Sequence, residues 1–281
     1  MRILITGAGG MLGTDVRRAA IAAGLDAVAL DHSGLDITDA GAVETAVRDA
    51  EPDAVINCAA WTDVDGAESA LQAALEANRD GAGNLARAAA SHGAWTVHVS
   101  SDYVFDGTKS EPYLESDPVD PLSAYGRSKL EGELAVAEAA PDSHTIVRSS
   151  WLFGTAGKCF PKTILRGASE RDELTVVDDQ VGCPTFTGHL ASALLQLAGD
   201  RLPGVVHVAG GGQCSWFELA REVVAAAGLN AKIRPAKTAD LDRPAPRPAY
   251  SVLRSERTDA PALADWRQGL REFMALEVSL T

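Results

Sequence analysis

The chain has 281 residues, of which 46% are hydrophobic and 23% charged, and its formal net charge is -14. This length suits one large domain or two closely joined ones with a sizeable core. The acidic balance argues against a nucleic-acid partner, because binding a phosphate backbone needs a basic face.

The four cysteines form no Cys-x-x-Cys pair and the six histidines are scattered, so neither a disulfide scaffold nor a metal site is predicted. The amino terminus, MRILITGAGG, is too short in its apolar part for a signal peptide, and no run is long enough to span a bilayer. We therefore expect a protein of the reducing cytoplasm with no membrane partner.

The first half alternates short β-branched segments with alanine-rich helical ones. The predicted strands are residues 2–6, 26–30, 53–57, 95–100 and 144–149. Strand–helix alternation of this length predicts an α/β fold of the Rossmann type, a doubly wound parallel sheet with helices on both faces.

After Arg148 the alternation loosens, and segments rich in charge and proline follow. One clear unit interrupts them, a strand at 204–209 followed by a glycine loop and a helix from about Ser215 to Ala227. We expect a dinucleotide-binding domain at 1–150, rejoined by parts of 185–210, and a smaller, discontinuous substrate-binding domain within 151–281.

The stretch LITGAGGMLG places Gly7, Gly10 and Gly13 directly after the first strand, where the first helix begins. Glycines allow positive φ and let backbone N–H groups approach a pyrophosphate at a helix start. The usual dinucleotide fingerprint would have glycine at Leu12, so this spacing is a variant of it. A tight strand–helix turn is the alternative, and the amino-terminal strand favours nucleotide binding.

The second strand ends at Asp31, whose carboxylate is placed to accept the ribose hydroxyls of adenosine and to repel a 2′-phosphate. His32 and Ser33 follow, and either could contact that phosphate instead, so NADH and NADPH both stay open. Asp36 and Ile37 are placed near the adenine, although a helix cap by the next residues explains the same pattern.

The third and fourth strands each end in small or hydroxyl-bearing residues. Ala59 and Ala60 would let the backbone pack against a flat ligand, with close strand–helix packing as the alternative. Ser100 and Ser101 emerge at the carboxyl edge of the sheet, where open α/β sheets bind ligands. Capping of the following turn is the simpler explanation for these hydroxyls.

The stretch SAYGRSKLEGE starts a predicted helix in which Tyr125 and Lys129 stand four residues apart, on one face. Taken alone, an amphipathic helix with a half-buried tyrosine explains this spacing. Combined with Ser101 and the glycine turn, it resembles the extended short-chain dehydrogenase/reductase superfamily. Within it, GAGGMLG, NCAAWTDVDGAE, SSDYVFDG, YGRSKLEGE, RSSWLFG and DQVGCPT together resemble the dTDP-4-dehydrorhamnose reductase family.

The resemblance covers Met1 to about Thr185, and thins in the last third, where RPAYSVL still fits. It implies hydride transfer from NADPH or NADH to the C4 ketone of a dTDP-4-keto-6-deoxysugar. Tyr125 would donate a proton to the ketone oxygen from within about 3 Å. Ser101 would orient the ketone, and Lys129 would also bind the nicotinamide ribose.

An unperturbed tyrosine pKa of about 10 is too high for this work near neutrality. Lowering it to about 7 requires roughly 4 kcal/mol of preference for the phenolate. One ammonium about 4 Å away supplies on the order of 4 kcal/mol at an effective dielectric near 20. We therefore expect Lys129 to lower the pKa of Tyr125.

Residues at the strand ends and in the six motifs are predicted to bind the cofactor. They are Gly7, Gly10, Met11, Leu12, Gly13, Asp31, His32, Ser33, Asp36, Ile37, Cys58, Ala59, Ala60, Ser100, Tyr125 and Lys129.

The predicted substrate site adds residues from the later motifs and two candidate phosphate sites. They are Trp61, Ser101, Asp102, Tyr103, Val104, Tyr125, Trp151, Lys158, Lys162, Arg166, Cys183, Thr185 and Arg247. Trp151 matches the tryptophan with which the family contacts the sugar. Lys158, Lys162 and Arg166 would form one face of a helix and bind the diphosphate, with a solvated basic stripe as the equal alternative.

Several alternatives stay open. The sugar could belong to another dTDP-deoxysugar pathway, such as one leading to an antibiotic. A non-catalytic regulatory subunit of the same fold ranks well behind, because Tyr125, Lys129 and Ser101 are all present. A 4,6-dehydratase would be expected to carry an acidic pair where the chain has Asp102 and Tyr103.

Some members of the family join two chains through magnesium bound by carboxylates. Only Asp15 aligns with such a site, so Mg²⁺ is possible but not predicted. The chain is expected to be a monomer or a homodimer.

Overall fold

A computed structural model of the chain describes residues 1–280, with side chains described as far as residue 277. Its centre is a parallel sheet of six strands. They are β1 (Arg2–Thr6), β2 (Asp26–Leu30), β3 (Ala54–Asn57), β4 (Trp95–Ser101), β5 (His144–Ser149) and β10 (Gly204–His207). The strand order is β10-β5-β4-β3-β1-β2, and every neighbouring pair is parallel. The predicted doubly wound sheet is confirmed.

Short strands outside the central sheet form small two-stranded pairs. They are β6 (Leu152–Phe153), β7 (Glu173–Val177), β8 (Val181–Gly182), β9 (Thr185–Phe186), β11 (Cys214–Ser215) and β12 (Lys232–Ala236). β6 pairs with β9, β7 with β12 and β8 with β11. The predicted second domain was placed as far as Thr281, and that last residue lies outside the described residues.

Ten α-helices lie in the described part of the chain. They are α1 (Met11–Ala22), α2 (Ala40–Ala50), α3 (Val64–Ser69), α4 (Leu71–Leu75), α5 (Ala82–Ser91), α6 (Ala124–Ala139), α7 (Phe160–Glu170), α8 (Thr187–Asp200), α9 (Trp216–Ala226) and α10 (Trp266–Leu280). A π-helical turn at Glu76–Gly81 connects α4 to α5. Within the described residues, no helix is both long and apolar enough to cross a membrane.

Helices cover both faces of the central sheet. α1 and α8 pack together on one face, and α2, α5 and α6 lie on the other. Strands β1, β3 and β4 are almost wholly buried, as their apolar runs require when both faces are covered. A separate apolar cluster joins α7, α9 and α10 around Phe153, Trp266 and Phe273.

The sheet topology also positions the functional site. The chain runs from β1 outward to β2 and then returns to β3 on the other side of β1. In open α/β sheets, this reversal leaves a crevice at the carboxyl ends of the strands, where ligands bind. The predicted glycine turn and the ends of β3 and β4 all lie at that edge.

Candidate active site

Glycines at the β1–α1 turn are required by close backbone packing. Gly7 has φ +68, and a Cβ there would lie 2.6 Å from the backbone nitrogen of Ala59. A Cβ on Gly13 would lie 2.2 Å from the carbonyl oxygen of Gly7. Any other side chain would push α1 away from the strand or close the gap to the β3 end.

Helix α1 begins at this turn with its first N–H groups available. Gly10 is the N-cap, no side chain caps the helix, and the first turn carries no acidic residue. A helix start of this kind favours a bound anion through its free N–H groups and its dipole. The turn therefore fits the diphosphate of a dinucleotide.

Asp31 lies beside the glycine turn, because a Cβ on Gly9 would be 3.1 Å from the Asp31 Cβ. Its Oδ1 accepts hydrogen bonds from the Ser33 backbone nitrogen at 2.9 Å and the Ser33 hydroxyl at 2.6 Å. These bonds, led by the Ser33 hydroxyl, lower the pKa of Asp31 and keep it ionised. His32 is exposed next to it.

The predicted adenine contacts Asp36 and Ile37 have other roles in the structure. Asp36 Oδ1 accepts from the backbone and hydroxyl of Thr38 at 3.0 and 2.8 Å. Ile37 is 6% exposed and packs in the core. Asp39 caps α2 by accepting hydrogen bonds from the backbone nitrogens of Gly41 and Ala42. The helix cap given above as the alternative explanation of this segment is therefore present.

Ser101 and Tyr125 meet at the end of β4. The Ser101 hydroxyl lies close enough to the Tyr125 phenol to lower its pKa, against the effect of burial. Ser101 Oγ also donates to Asp102 Oδ1 at 3.0 Å. Burial raises the pKa of Asp102 to about 6, against hydrogen bonds from Ser251 and Ser101 that lower it. The arrangement is a short chain of exchangeable protons from a phenol through a hydroxyl to a carboxyl group.

Lys129 lies one helical turn beyond Tyr125 on α6 and is 2% exposed. Its Nζ donates to the backbone oxygen of Val99 at 2.7 Å. Burial lowers the pKa of Lys129 to about 8, while the Glu133 carboxylate opposes this shift.

The expected effect of Lys129 on Tyr125 differs from what the structure shows. Burial raises the pKa of Tyr125 to about 12, and the counteracting influence is the hydrogen bond with Ser101. The lysine is engaged by the Val99 carbonyl and is not among the groups that shift the tyrosine. The phenol is therefore a protonated donor near neutral pH.

Ser100 was predicted to contact the cofactor, but its side chain points elsewhere. Its hydroxyl donates to Glu133 Oε1 at 2.5 Å in the buried layer between the sheet and α6. In a strand, successive side chains alternate between faces, so Ser100 and Ser101 cannot both face the same ligand.

Aromatic side chains surround the tyrosine and the neighbouring cleft. The Tyr103 and Tyr125 rings meet edge to face, with centroids 5.5 Å apart. Trp61 packs with Tyr125 around Ala67, Ala74 and Ala124. Further along, Trp151 stacks on Trp216 with ring centroids 3.5 Å apart and planes 4° from parallel. Trp151 has φ +49, a left-handed backbone conformation.

Arg247 lies beside Tyr103 and pairs with Asp65 at the start of α3. Its Nη1 and Nη2 donate to the two Asp65 oxygens at 3.1 and 2.9 Å. Arg243 adds a third bond to Asp65 at 3.3 Å. The hydrogen bonds from Arg247 are the largest influence that lowers the pKa of Asp65, to about 2. The predicted phosphate contact thus lies near the tyrosines, with its charge balanced by Asp65.

The other predicted phosphate site is not at this cleft. Lys158 precedes α7, which begins at Phe160, so the three basic residues do not share a helix face. Lys162 pairs with Glu277 at 2.9 Å. Lys162 and Arg166 line a separate groove of about 740 Å³ with Leu165, Ala226 and Met274, between α7, α9 and α10.

Several other predicted contacts have buried side chains with internal partners. Leu12 and Val104 are core residues. Cys183 is 1% exposed, and the Thr185 hydroxyl donates to the Cys183 oxygen at 3.2 Å. Cys58 is partly exposed beside Ala59, and burial raises the pKa of its thiol to about 12. The side chains of Leu12, Val104 and Cys183 are therefore not free to face a ligand.

Sequence reasoning missed three contributors to the site. Trp216 lies within the Ser215–Glu218 capping box that predicts the α9 start, but nothing local shows its stack on Trp151. Asp65 pairs with a residue 182 positions away, which no local pattern reveals. Glu133 could have been found from the sequence, because it stands four residues after Lys129, the same spacing that separates Lys129 from Tyr125.

No group of three or more histidine, cysteine, aspartate or glutamate side chains close enough to hold a metal ion occurs among the described residues. Asp15, which aligned with the family's magnesium site, accepts a hydrogen bond from the Thr187 hydroxyl at 2.5 Å.

The fold and these side chains define a protein of the short-chain dehydrogenase/reductase type. A family model described as the RmlD substrate binding domain matches residues 1–278. The chain belongs to this family, and the dTDP-4-dehydrorhamnose reductase family predicted from the motifs is confirmed.

Individual relatives agree with the family model. A dTDP-4-dehydrorhamnose reductase of Mycolicibacterium smegmatis is 44% identical, covering 100% of this chain and 87% of that protein. A probable dTDP-4,6-dihydroxy-2-methyloxan-3-one 4-ketoreductase of Streptomyces antibioticus is 42% identical, covering 97% and 94%. The solved structure of a Bacillus anthracis dTDP-4-dehydrorhamnose reductase in complex with NADP is 36% identical, with a TM-score of 0.95, covering 98% and 99% of the two chains.

Proposed function

We propose that the protein reduces the C4 ketone of dTDP-4-dehydro-L-rhamnose to give dTDP-L-rhamnose, using NADPH or NADH. The observation that carries the proposal is the placement of Tyr125 beside Ser101 at the carboxyl edge of the sheet, one helical turn from Lys129. Sequence identity of 42–44% to two reductases of dTDP-linked sugars supports this class of substrate.

The residues present fit a nicotinamide dinucleotide. The uncapped start of α1 and the glycine turn would hold its diphosphate, and Asp31 would hold the adenosine ribose. When bound, the reduced nicotinamide supplies a hydride to a carbonyl carbon.

The chain's own residues would handle the proton and the orientation of the ketone. A ketone oxygen gains negative charge as it is reduced, so a donor must lie within hydrogen-bond reach. Tyr125 would be that donor, since its phenol is protonated and lies beside Ser101. Ser101, which donates to Asp102, would fix the direction of the same oxygen. Lys129 places a cation beneath them, one turn along α6.

The aromatic groups suit the remainder of a sugar nucleotide. The stacked Trp151 and Trp216 offer a flat apolar surface, which a deoxysugar can cover. Arg247, close to Tyr103, offers a guanidinium for a phosphate. A diphosphate would compete with Asp65 for it.

A mixing experiment tests this proposal. Purified protein is combined with dTDP-4-keto-6-deoxyglucose, with and without a 3,5-epimerase, and the loss of NADPH and NADH absorbance is followed. Oxidation only when the epimerase is present is the expected result. Oxidation of NADPH or NADH with the unepimerised sugar would indicate another 4-ketoreductase, the alternative supported by the Streptomyces antibioticus relative. No oxidation with any sugar would overturn the enzyme proposal.

We also propose that the protein acts in the cytoplasm as a monomer or homodimer, without a nucleic-acid or membrane partner. All four cysteines are free thiols, and free thiols persist in a reducing compartment. Light scattering with and without cofactor would determine the number of chains.

A further inference from the structure

A buried ion pair lies between α6 and the sheet, one helical turn beyond Lys129. Arg148 donates from Nε and Nη2 to the two carboxylate oxygens of Glu133 at 2.9 and 2.7 Å. Ser100 donates to Oε1 of the same carboxylate at 2.5 Å. The Glu133 and Arg148 side chains are only 5% and 6% exposed.

The backbone explains how these groups meet. Ser100 on β4 and Arg148 on β5 are direct partners in the parallel register, so their side chains emerge together on one face of the sheet. That face carries α6, and Glu133 reaches down from it. One carboxylate therefore joins the helix to two adjacent strands.

A buried ion pair attaches a helix to a sheet at a high cost in desolvation free energy. Removing two charges from water costs several kcal/mol per ion, whereas well-packed apolar side chains of similar volume give equal or greater stability. Attachment alone therefore does not explain why charges stand at these two positions.

The register between β4 and α6 suggests what the charge does. Three consecutive residues of β4 each hold a different residue of α6. The Val99 oxygen accepts from Lys129, the Ser100 hydroxyl donates to Glu133, and the Ser101 hydroxyl lies beside Tyr125. The Glu133–Ser100 contact therefore lies in the same strand–helix contact as the other two pairs.

The charged and titratable groups that face Lys129 differ in charge, and therefore in their effect on its pKa. On β4, buried His98 is neutral, since burial drives its pKa well below the usual value. After β3, the Cys58 thiol is neutral, with a pKa of about 12. Tyr125, on α6 itself, is also neutral, with a pKa of about 12. Glu133 is the largest influence that opposes the effect of burial on Lys129, and Cys58 adds a smaller one.

We propose that Glu133, held by Ser100 and Arg148, is a positioning residue that keeps buried Lys129 a cation and keeps Tyr125 in register with Ser101. The consequence for turnover rests on the proposed reductase function. The consequence for the charge of Lys129 does not.

The test is a titration of Lys129 in the cofactor-free protein. Lysine labelled with ¹³C at Cε reports protonation by its chemical shift, and the Lys129 signal is assigned by its loss in Lys129→Met. Glu133→Gln keeps the side-chain shape and removes the charge. We expect the pKa of Lys129 to fall by about one unit or more, as loss of a carboxylate one helical turn away implies. Glu131→Gln, an exposed position on the same helix, is the matched control and should leave the titration unchanged.

The same shift should appear in kinetics. A lysine with a lowered pKa loses its charge at lower pH, so the alkaline limb of the kcat/KM profile should move down by the same amount in Glu133→Gln. Glu133→Asp keeps the charge and shortens the contacts. It should lower the melting temperature while leaving the limb within about half a unit of its original position.

Each outcome bears on the proposal. An unchanged Lys129 titration in Glu133→Gln, or equal shifts in the Asp and Gln variants, would overturn it. If Glu133→Gln does not fold, the double variant with Glu133→Gln and Arg148→Met also removes the arginine charge that would be left unpaired. The Lys129 pKa should still be lower in the double variant than in wild type. Inactive wild-type protein with a shifted Lys129 in the variant would reject the reductase function and retain this inference.

Discussion

The two ends of the candidate active site are built in different ways. At the reaction end, Ser101, Tyr125 and Lys129 come from one strand and one helix and are held by buried hydrogen bonds. At the substrate end, Asp65 and Arg247 meet from segments 182 residues apart and remain partly exposed. The first end is fixed by the core of the fold, and the second depends on a few ion pairs that a ligand can exchange.

The largest expected effect is at the reaction end. Tyr125→Phe removes the proton donor and little else, so kcat should fall by roughly 10²–10⁴-fold. Cofactor affinity, measured by fluorescence titration, should stay within about threefold of wild type, since a factor of three is well under 1 kcal/mol. Near-normal turnover would show that Tyr125 is not the proton donor. The buried end of the site would then not be the reaction end.

A smaller effect is expected at the substrate end. Arg247→Met removes a guanidinium offered to phosphate, so KM for the sugar nucleotide should rise roughly 10–100-fold, in the range of a lost charge-assisted hydrogen bond. Arg166→Met is the matched control and should leave KM unchanged, because Arg166 lies in the separate groove between α7, α9 and α10. Equal rises in KM for both variants would instead support the phosphate-binding role predicted for the basic residues of α7.

The smallest effect concerns stability and its dependence on pH. Asp65 has a pKa of about 2 in the folded chain, below its ordinary value of 3.8. A lowered carboxyl pKa contributes stability that is fully present above the unfolded value and is lost as pH falls toward 2. The contribution is on the order of 2 kcal/mol.

Thermal melting of wild type and Asp65→Asn from pH 3 to pH 7 measures this contribution. The difference in stability should be constant above pH 5 and shrink below pH 4. A difference independent of pH over the whole range would show that the Asp65 charge does not stabilise the fold.

Most of the reaction end could be predicted from the sequence, because its information is local. The strand ending at Ser101 and the helix beginning beside Tyr125 follow from apolar runs and from the Ser123 cap. The central sheet follows from the same alternation. The expected fall in the Tyr125 pKa did not follow, because it depends on burial and on where the Lys129 ammonium finds its partner.

The substrate end could be predicted only in part: Arg247 and Trp151 are sequence predictions, whereas their partners Asp65 and Trp216 are not. Basic residues at helical spacing, Lys162 and Arg166, carry the same local signal whether they face a ligand, a glutamate or solvent. Only the tertiary path of the chain decides among these. The pairing of Asp65 with Arg247 and the stack of Trp216 on Trp151 depend on that path as well.

The left-handed backbone at Trp151 bears on efforts to engineer this protein. A non-glycine residue in that conformation costs on the order of 1 kcal/mol, which glycine would relieve. Glycine would also remove the indole that stacks on Trp216, and the lost packing costs more than the relieved strain. The tryptophan should therefore be held constant in a library selected for thermostability.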